Sequence, residues 1–307
     1  MRLLTLGKIK KEKPLVLVGL GNMGKAMLKG WRRNGLSGDA VKIISPNAPN
    51  YAELFPDVDP EAFLTEFEML PTNIEPLAVV LAVKPQKMDE ILPLCGRFLG
   101  ANPLFLSVAA GKSLGYFAGQ LGQQVQIVRA MPNTPASIGL GMTAAVANGN
   151  VTDDNKEFCA ALLEAVGMFE WLDQEDLMDA VTAVSGSGPA YIFLLAESLT
   201  KAAMKQGLPK KTARKLAYQT IMGAASLLDS ESAKDSEDSD KLTATRLREQ
   251  VTSPNGTTAA ALSVLMNEEN GMPEMMNNAV QRATERSREL NRPSDVIIEV
   301  LGKHKID

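Results

Sequence analysis

The apolar positions of this chain change their rhythm near residue 172. Before it, short continuous apolar runs recur, and each is closed by Gly, Pro, Asn or Ser. They are Leu15–Val18, Val41–Ile44, Leu77–Val83, Leu104–Val108 and Val125–Val128, with weaker runs at Thr143–Val146 and Phe169–Leu172. Runs of this kind suit strands covered on both faces. Helix-forming stretches fill the intervals, as at Met23–Trp31, Lys87–Leu94 and Asn155–Ala165. Strands alternating with helices predict βαβ units in a doubly wound, mostly parallel sheet. Ligands of such sheets sit beyond the carboxyl ends of the strands.

After Leu172 the strand signals stop. Pro189–Gln206 reads as one long helix, opened by Ser187-Gly188-Pro189 and closed by Gly207-Leu208-Pro209. Ile192, Phe193, Leu194, Leu195, Leu199 and Met204 keep to no single stripe, so the helix is expected to be buried nearly all round. A segment of about 135 residues cannot cover such a helix alone, which predicts burial against a second copy of the chain. Further helices are expected at Lys210–Leu228, Lys241–Gln250, Thr258–Met266, Pro273–Leu290 and Asp295–Leu301. The acidic, serine-rich Ser230–Asp240 has almost nothing to bury and reads as a flexible surface loop. The expected fold is therefore α/β: a Rossmann-like sheet domain over 1–172, with 1–13 a loose basic tail, then a helical domain over 173–307.

Composition narrows the classes. A length of 307 residues is about two typical domains. Hydrophobic content of 45% with 22% charged excludes wholesale disorder. Lys and Arg number 32 against 36 Asp and Glu, a net charge of −4, so no basic field attracts nucleic acid. Cys95 and Cys159 stand outside any CxxC, which excludes a disulfide framework and fits a reducing compartment. The single histidine, His304, excludes a His-rich metal site, and no metal is expected. The apolar runs are far shorter than the ~20 residues of a spanning helix, and Leu15–Val18 is too short for a signal peptide, so a cytoplasmic protein without a membrane contact is expected.

The candidate chemistry begins at Gly19-Leu20-Gly21-Asn22-Met23-Gly24, a G-x-G-x-x-G that follows a strand and opens a helix. Gly19 allows the tight turn, Gly21 lets a pyrophosphate approach the backbone, and Gly24 lets helix and strand pack closely. The helix start offers free N–H groups and partial positive charge. At the end of the second strand an NAD-specific site usually carries Asp or Glu. Here stand Ser45-Pro46-Asn47, with no carboxylate to repel a 2′-phosphate and no Arg to clamp one. Ser45 and Asn47 could donate to that phosphate, so NADP is expected ahead of NAD, although without an Arg the preference is not strong and an ordinary turn accounts for the tripeptide equally well.

Further segments appear in a fixed order: Ala82-Val83-Lys84-Pro85, Ser107–Gly111, Met131–Pro135, Asp179–Tyr191 with its Ser-Gly-Ser-Gly-Pro-Ala-Tyr, and Val251-Thr252-Ser253-Pro254-Asn255-Gly256-Thr257-Thr258. With the glycine turn they resemble the pyrroline-5-carboxylate reductase family over about residues 14–300. The resemblance implies reduction of the C=N bond of L-1-pyrroline-5-carboxylate to L-proline by NADPH or NADH, and a helical domain forming an intertwined homodimer or a higher assembly of dimers. It implies that Val18, Gly19, Leu20, Gly21, Asn22 and Met23 hold the pyrophosphate, with Gly24 completing the cofactor-binding turn. Ser45 and Asn47 would meet the adenosine ribose or its phosphate. Ala82, Val83, Lys84 and Pro85, with Val108, Ala109 and Ala110, would border the ribose and nicotinamide, and Gln250 would reach the cofactor. Gly256, Thr257 and Thr258 would contact the substrate, and Glu175 matches another substrate-side position. Asn255 stands where the family has Gly; Asn best tolerates positive φ among the other residues, so the loop is expected to keep its shape.

Hydride transfer to a C=N carbon is easiest when the nitrogen is protonated. A substrate bound as the iminium spares the protein a strong general acid, which fits a chain with one near-terminal histidine. Thr258 Oγ1 is assigned a hydrogen bond to the ring nitrogen that orients the ring and relays a proton from water. Glu175 would favour the cationic ring or order water beside it; among Asp173, Asp176 and Asp179 it reads equally as a solvated first turn of a helix. Thr257 and Thr258 read otherwise as helix caps. The competing functions are another imine or hydroxyacid oxidoreductase and a non-catalytic nucleotide sensor. A hydroxyacid dehydrogenase would want a catalytic Lys or His in its helical domain, where the matched motifs carry neither, and a sensor would be expected to lose the Gly256-Thr257-Thr258 turn.

Overall fold

A computed structural model of the chain describes residues 6–232 and 243–291. Strand β1 (Leu15–Val18) runs parallel between β2 (Val41–Ile44) and β4 (Ala78–Leu81). A two-residue β3 (Phe63–Leu64) lies at one edge, and β5 (Leu104–Ser107), β6 (Gln126–Met131), β7 (Gly141–Ala147) and β8 (Gly167–Trp171) extend the other side. The eight-stranded order is β3-β2-β1-β4-β5-β6-β7-β8, parallel except for the antiparallel β6–β7 pair.

Side chains alternate across a strand, and here both faces are covered. Leu15 and Leu17 join one core layer, closed by helices α1 (Asn22–Arg33) and α4 (Asp153–Glu164). Val16 and Val18 join the other, closed by α2 (Met88–Cys95) and α3 (Leu114–Leu121). That double coverage is why the strands read as unbroken apolar runs rather than as alternation. Trp31 is fully buried and its indole N–H donates to Leu162 O at 2.8 Å, locking α1 to α4.

By contacts the chain forms two compact units, Met1–Ser187 with Ala283–Asp307, and Gly188–Arg282. The last strand ends at Trp171, close to the composition change at 172, but the short helix α5 (Met178–Val181) and the π-helical turn Thr182–Gly186 still belong to the first unit. The second unit holds α6 (Gly188–Lys205), α7 (Lys210–Ser232), α8 (Thr243–Gln250), α9 (Thr257–Leu265) and most of α10 (Met272–Asn291). No residue of α6 is buried: Phe193 is 67% exposed and Leu194 64%.

Two expectations need correction, and two elements went unforeseen. The segment before Lys13 is not a loose tail along its described part, because Leu6 and Ile9 are buried in the Leu15–Leu17 core layer. The loop expected at Ser230–Asp240 does not include Ser230–Ser232, which belong to α7; 233–242 lie outside the described residues. The β3 strand and helix α3 were absent from the apolar pattern. β3 is only two residues long, and α3 carries Gly115 and Gly119 inside eight residues, which removes the helical signature. The helix expected at Asp295–Leu301 and His304 lie outside the described residues.

Candidate functional site

The carboxyl ends of β2, β1, β4 and β5 are adjacent in the sheet, and they bring the expected cofactor residues of the first unit to one edge. Ile44 O accepts from Gly19 N–H at 2.8 Å, and Val18 O accepts from Ala82 N–H at 2.8 Å. Val108 N–H donates to Leu81 O at 3.1 Å, and Ala109 N–H to the Ser107 hydroxyl at 3.3 Å. The turn is therefore stitched to both flanking strands.

Within the glycine turn the three glycines do different work. Gly19 has φ +98°, and a Cβ there would meet Ala82 O at 2.6 Å. A Cβ on Gly24 would collide with Gly19 O. A Cβ on Gly21 would meet nothing within 4 Å. Two glycines are thus required by the protein itself, whereas the bareness of Gly21 opens onto space a ligand would fill. Gly21 is also the N-cap of α1, with no side-chain cap and no acidic residue in the first turn, so the helix start keeps its N–H groups and its positive end free for an anion. The residues present fit a dinucleotide pyrophosphate.

Leu20 is buried, Met23 half-buried and Asn22 exposed. Ser45 is half-buried and Asn47 exposed. Ala82, Val83 and Pro85 are half-buried and Lys84 is exposed, its backbone accepting from Lys87 N–H in the turn that starts α2. A cavity of about 440 Å³ opens beside the first turns of α1, lined by Asn22, Lys25, Lys29, Leu54, Thr134 and Ser137 among others.

Gln250, Gly256, Thr257 and Thr258 are carried by the second unit. Gln250 ends α8 and is exposed. Asn255 takes φ +57°, the left-handed conformation expected of it. Gly256, not a threonine, caps α9, and no side chain caps the helix. Gly256 N–H is already spent on Ser253 O at 3.1 Å, so the free donors are those of the first helical turn that follows. The hydroxyls of Thr257 and Thr258 have no partner among the described residues; Thr258 is half-buried and Thr257 exposed.

Glu175 opens the 3-10 turn Glu175–Leu177, and its carboxylate is paired rather than solvated. Its Oε1 accepts from Arg129 Nη1 at 2.7 Å and from Leu114 N–H at 2.8 Å. Arg129 is a buried cation on β6, so the carboxylate neutralises it and satisfies the first N–H of α3. The network continues: Arg129 Nη2 lies 3.5 Å from Asn291 Oδ1, and Asp179 Oδ1 accepts from Asn291 Nδ2 and the Ser287 hydroxyl, both at 2.6 Å. It ties the end of α10 to the sheet.

Two further clusters escaped the sequence reading. Tyr116 OH donates to Asp89 Oδ1 at 2.6 Å, and Lys112 Nζ lies 3.6 Å from Asp89 Oδ2 and 4.0 Å from the Tyr116 ring centroid. Burial first and Asp89 second push the Tyr116 phenol up, so it stays protonated and braces the loops after β4 and β5. Lys25 Nζ lies 4.5 Å from the Tyr51 ring centroid. The motif Met131–Pro135 has a structural duty that links it to Ser185: Asn133 Nδ2 donates to Ser185 O at 3.2 Å, and Asn133 Oδ1 accepts from Met142 N–H at 2.9 Å. Burial pushes the Cys95 thiol up to about 12, which leaves it no nucleophile at neutral pH. Among the described residues no three His, Cys, Asp or Glu gather as a metal site, and no helix is long and apolar enough to cross a membrane.

Comparison with known proteins adds the following. Residues 175–290 match a family described as pyrroline-5-carboxylate reductase dimerisation, and residues 14–111 one described as NADP oxidoreductase, coenzyme F420-dependent. The chain is 37% identical over 280 residues to a pyrroline-5-carboxylate reductase of Pseudomonas aeruginosa, covering 90% of this chain and 96% of that one. A solved pyrroline-5-carboxylate reductase from Coxiella burnetii has 32% identity and a TM-score of 0.78, over 92% of this chain and all 100% of that one. A pyrroline carboxylate reductase of Plasmodium falciparum, solved with NADP bound, has 29% identity and a TM-score of 0.75, over 92% and 99%.

Proposed function

The chain belongs to the pyrroline-5-carboxylate reductase family, and from that premise we propose how its residues divide the NADPH-dependent reduction of L-1-pyrroline-5-carboxylate to L-proline. The observation that carries the reading is the likeness over nearly the whole length of both proteins, together with family matches over 14–111 and 175–290 that contain the glycine turn and the threonine turn.

Val18–Gly24 and the free start of α1 hold the pyrophosphate, Ser45 and Asn47 face the adenosine ribose, and Ala82–Pro85 with Val108–Ala110 border the ribose and nicotinamide. Gln250 reaches the cofactor from the helical segment. When bound, the reduced nicotinamide supplies the hydride for the C=N carbon. Gly256 shapes the turn, and the N–H groups of the helical turn after it, starting at Thr257, bind the substrate carboxylate. Thr258 Oγ1 accepts a hydrogen bond from the protonated ring nitrogen and passes a proton between it and water. Positioning and electrostatics carry the catalysis, with no strong acid required. Glu175 is assigned a strut between β6 and α3 instead of a substrate contact, because its Oε1 is held by Arg129 and Leu114.

Residues 1–172 form the dinucleotide domain in this reading, and 173–307 the domain for substrate and dimerisation. The exposed apolar residues of α6 and the matched dimerisation family support a homodimer. Assembly beyond a pair and a cytoplasmic home are part of the same proposal; two buried, unpaired thiols support a reducing compartment. The test is to mix purified protein, NADPH and pyrroline-5-carboxylate and follow loss of reduced nicotinamide and appearance of proline. Proline formation is expected, and its absence with either cofactor removes the reading.

A further inference from the structure

We propose that Lys25, held against Tyr51, is the residue that makes the protein prefer the 2′-phosphorylated cofactor. The proposal rests on the dinucleotide reading of the glycine turn.

The end of β2 offers the adenosine ribose no charge of either sign. From Ser45 to Ala52 there is neither an acid nor a base. The backbone there is self-satisfied: Ser45 N–H donates to Leu64 O at 3.0 Å, and Ala48 N–H returns to Ser45 O at 2.8 Å. The side chains of Ser45 and Asn47 have no partner among the described residues, and they supply neutral donors only. A 2′-phosphate brings a charge of about −1.5 to −2, which neutral donors tolerate without selecting it.

The charge comes from α1. Lys25, Lys29 and Arg32 recur at spacings of four and three and share one face of that helix. Arg32 at the far end is neutralised by Asp57 at 2.6 Å. Lys25 and Lys29, nearer the glycine turn, have no carboxylate partner among the described residues, and both line the cavity beside the helix start. The pairing is therefore graded along the helix, with the unbalanced cations at the ligand end. Lys25 is one turn past Gly21, its N–H donating to Gly21 O at 2.9 Å. Its ammonium lies 4.5 Å from the centroid of Tyr51, and that ring belongs to the 3-10 turn Ala48–Leu54, which begins directly after Asn47. A lysine is a flexible point charge that would otherwise roam in water. The ring face holds it by cation–π attraction between the pyrophosphate turn and the loop that meets the ribose. A second anion, one the helix start does not already serve, explains why this half-buried cation needs no acid.

The test is direct binding, without substrate. NADPH and NADH are titrated separately against the whole protein, wild type, Lys25→Gln, Lys25→Arg and Tyr51→Leu, following nicotinamide fluorescence, with thermal melting to confirm the fold. Lys25→Gln should weaken NADPH tenfold or more and change NADH less than twofold. Lys25→Arg should keep NADPH affinity within threefold of wild type, and Tyr51→Leu should give an intermediate loss confined to NADPH. In wild type, salt should weaken NADPH binding more steeply than NADH binding, and Lys25→Gln should remove that difference. Equal weakening of both nucleotides, or none, overturns the proposal. Wild-type protein that binds NADPH but forms no proline would refute the reductase reading and leave this one standing.

Discussion

The first unit buries its apolar residues within one chain, and the second does not. Every residue of β1, β4 and β5 is buried, and Trp31, Phe98, Phe105 and Phe117 are fully enclosed. In α6 nothing is buried, and α9 is likewise without a buried residue, with Val264 71% exposed. Both segments are comparably apolar in sequence, so composition does not separate them. The first has two layers of helices to cover its sheet. The second has helices whose apolar sides exceed what its described neighbours cover, and its match to a dimerisation family supports completion of that core by another copy. The match to an NADP oxidoreductase family thus falls on a finished scaffold, and the match to a dimerisation family falls mostly on a unit whose apolar faces stay open.

Substitutions can break or sharpen that contrast. The largest effect belongs to Gly24→Val, whose Cβ runs into Gly19 O and should cost more than about 3 kcal/mol of the first unit's stability. Its counterpart Gly21→Val points into open space, so melting should stay within about 2 °C of wild type while NADPH affinity falls more than about 100-fold. Equal loss of fold in both variants would contradict the separate roles of the two glycines. Next comes Arg129→Met, which leaves Glu175 half-buried without its cation and should cost about 3 kcal/mol in urea unfolding. A loss below about 1 kcal/mol would mean that the network does not brace the sheet.

Phe193→Asp should weaken self-association by about 2 kcal/mol for each copy of the side chain, seen as dissociation in analytical ultracentrifugation, with the first unit still folded. Unchanged association would show that α6 is not the covered face. The smallest effect is Thr258→Ala, for which kcat/KM should fall about tenfold to 100-fold with NADPH binding unaltered. An unchanged kcat/KM would remove the role given to that hydroxyl.

The legible parts of the fold are those dictated by local chemistry. Val16 and Val18 face one layer while Leu15 and Leu17 face the other, so β1 had to be apolar throughout and its run marked it. Asn255 at φ +57° was legible because few residues accept that conformation. The gathering of the strand-end turns at one edge of the sheet was legible because turn residues end each strand. What stayed hidden depends on partners far along the chain. Glu175 meets Arg129 across 46 residues, and Arg129 meets Asn291 across 162, so no local pattern distinguished Glu175 from its acidic neighbours. Leu6 and Ile9 sit among lysines that mark a solvated tail, and only the packed sheet shows what they bury against. Lys25 resembles any exposed helix lysine until the Tyr51 ring is placed over it.

The central claim, direct reduction of a small cyclic imine by a nucleotide on the glycine turn, is tested most directly by isotope. NADPH carrying deuterium at its transferable position, turned over with pyrroline-5-carboxylate, should give proline with a single deuterium on the ring carbon that had been doubly bonded to nitrogen. Proline without the label, or no proline, would contradict the account.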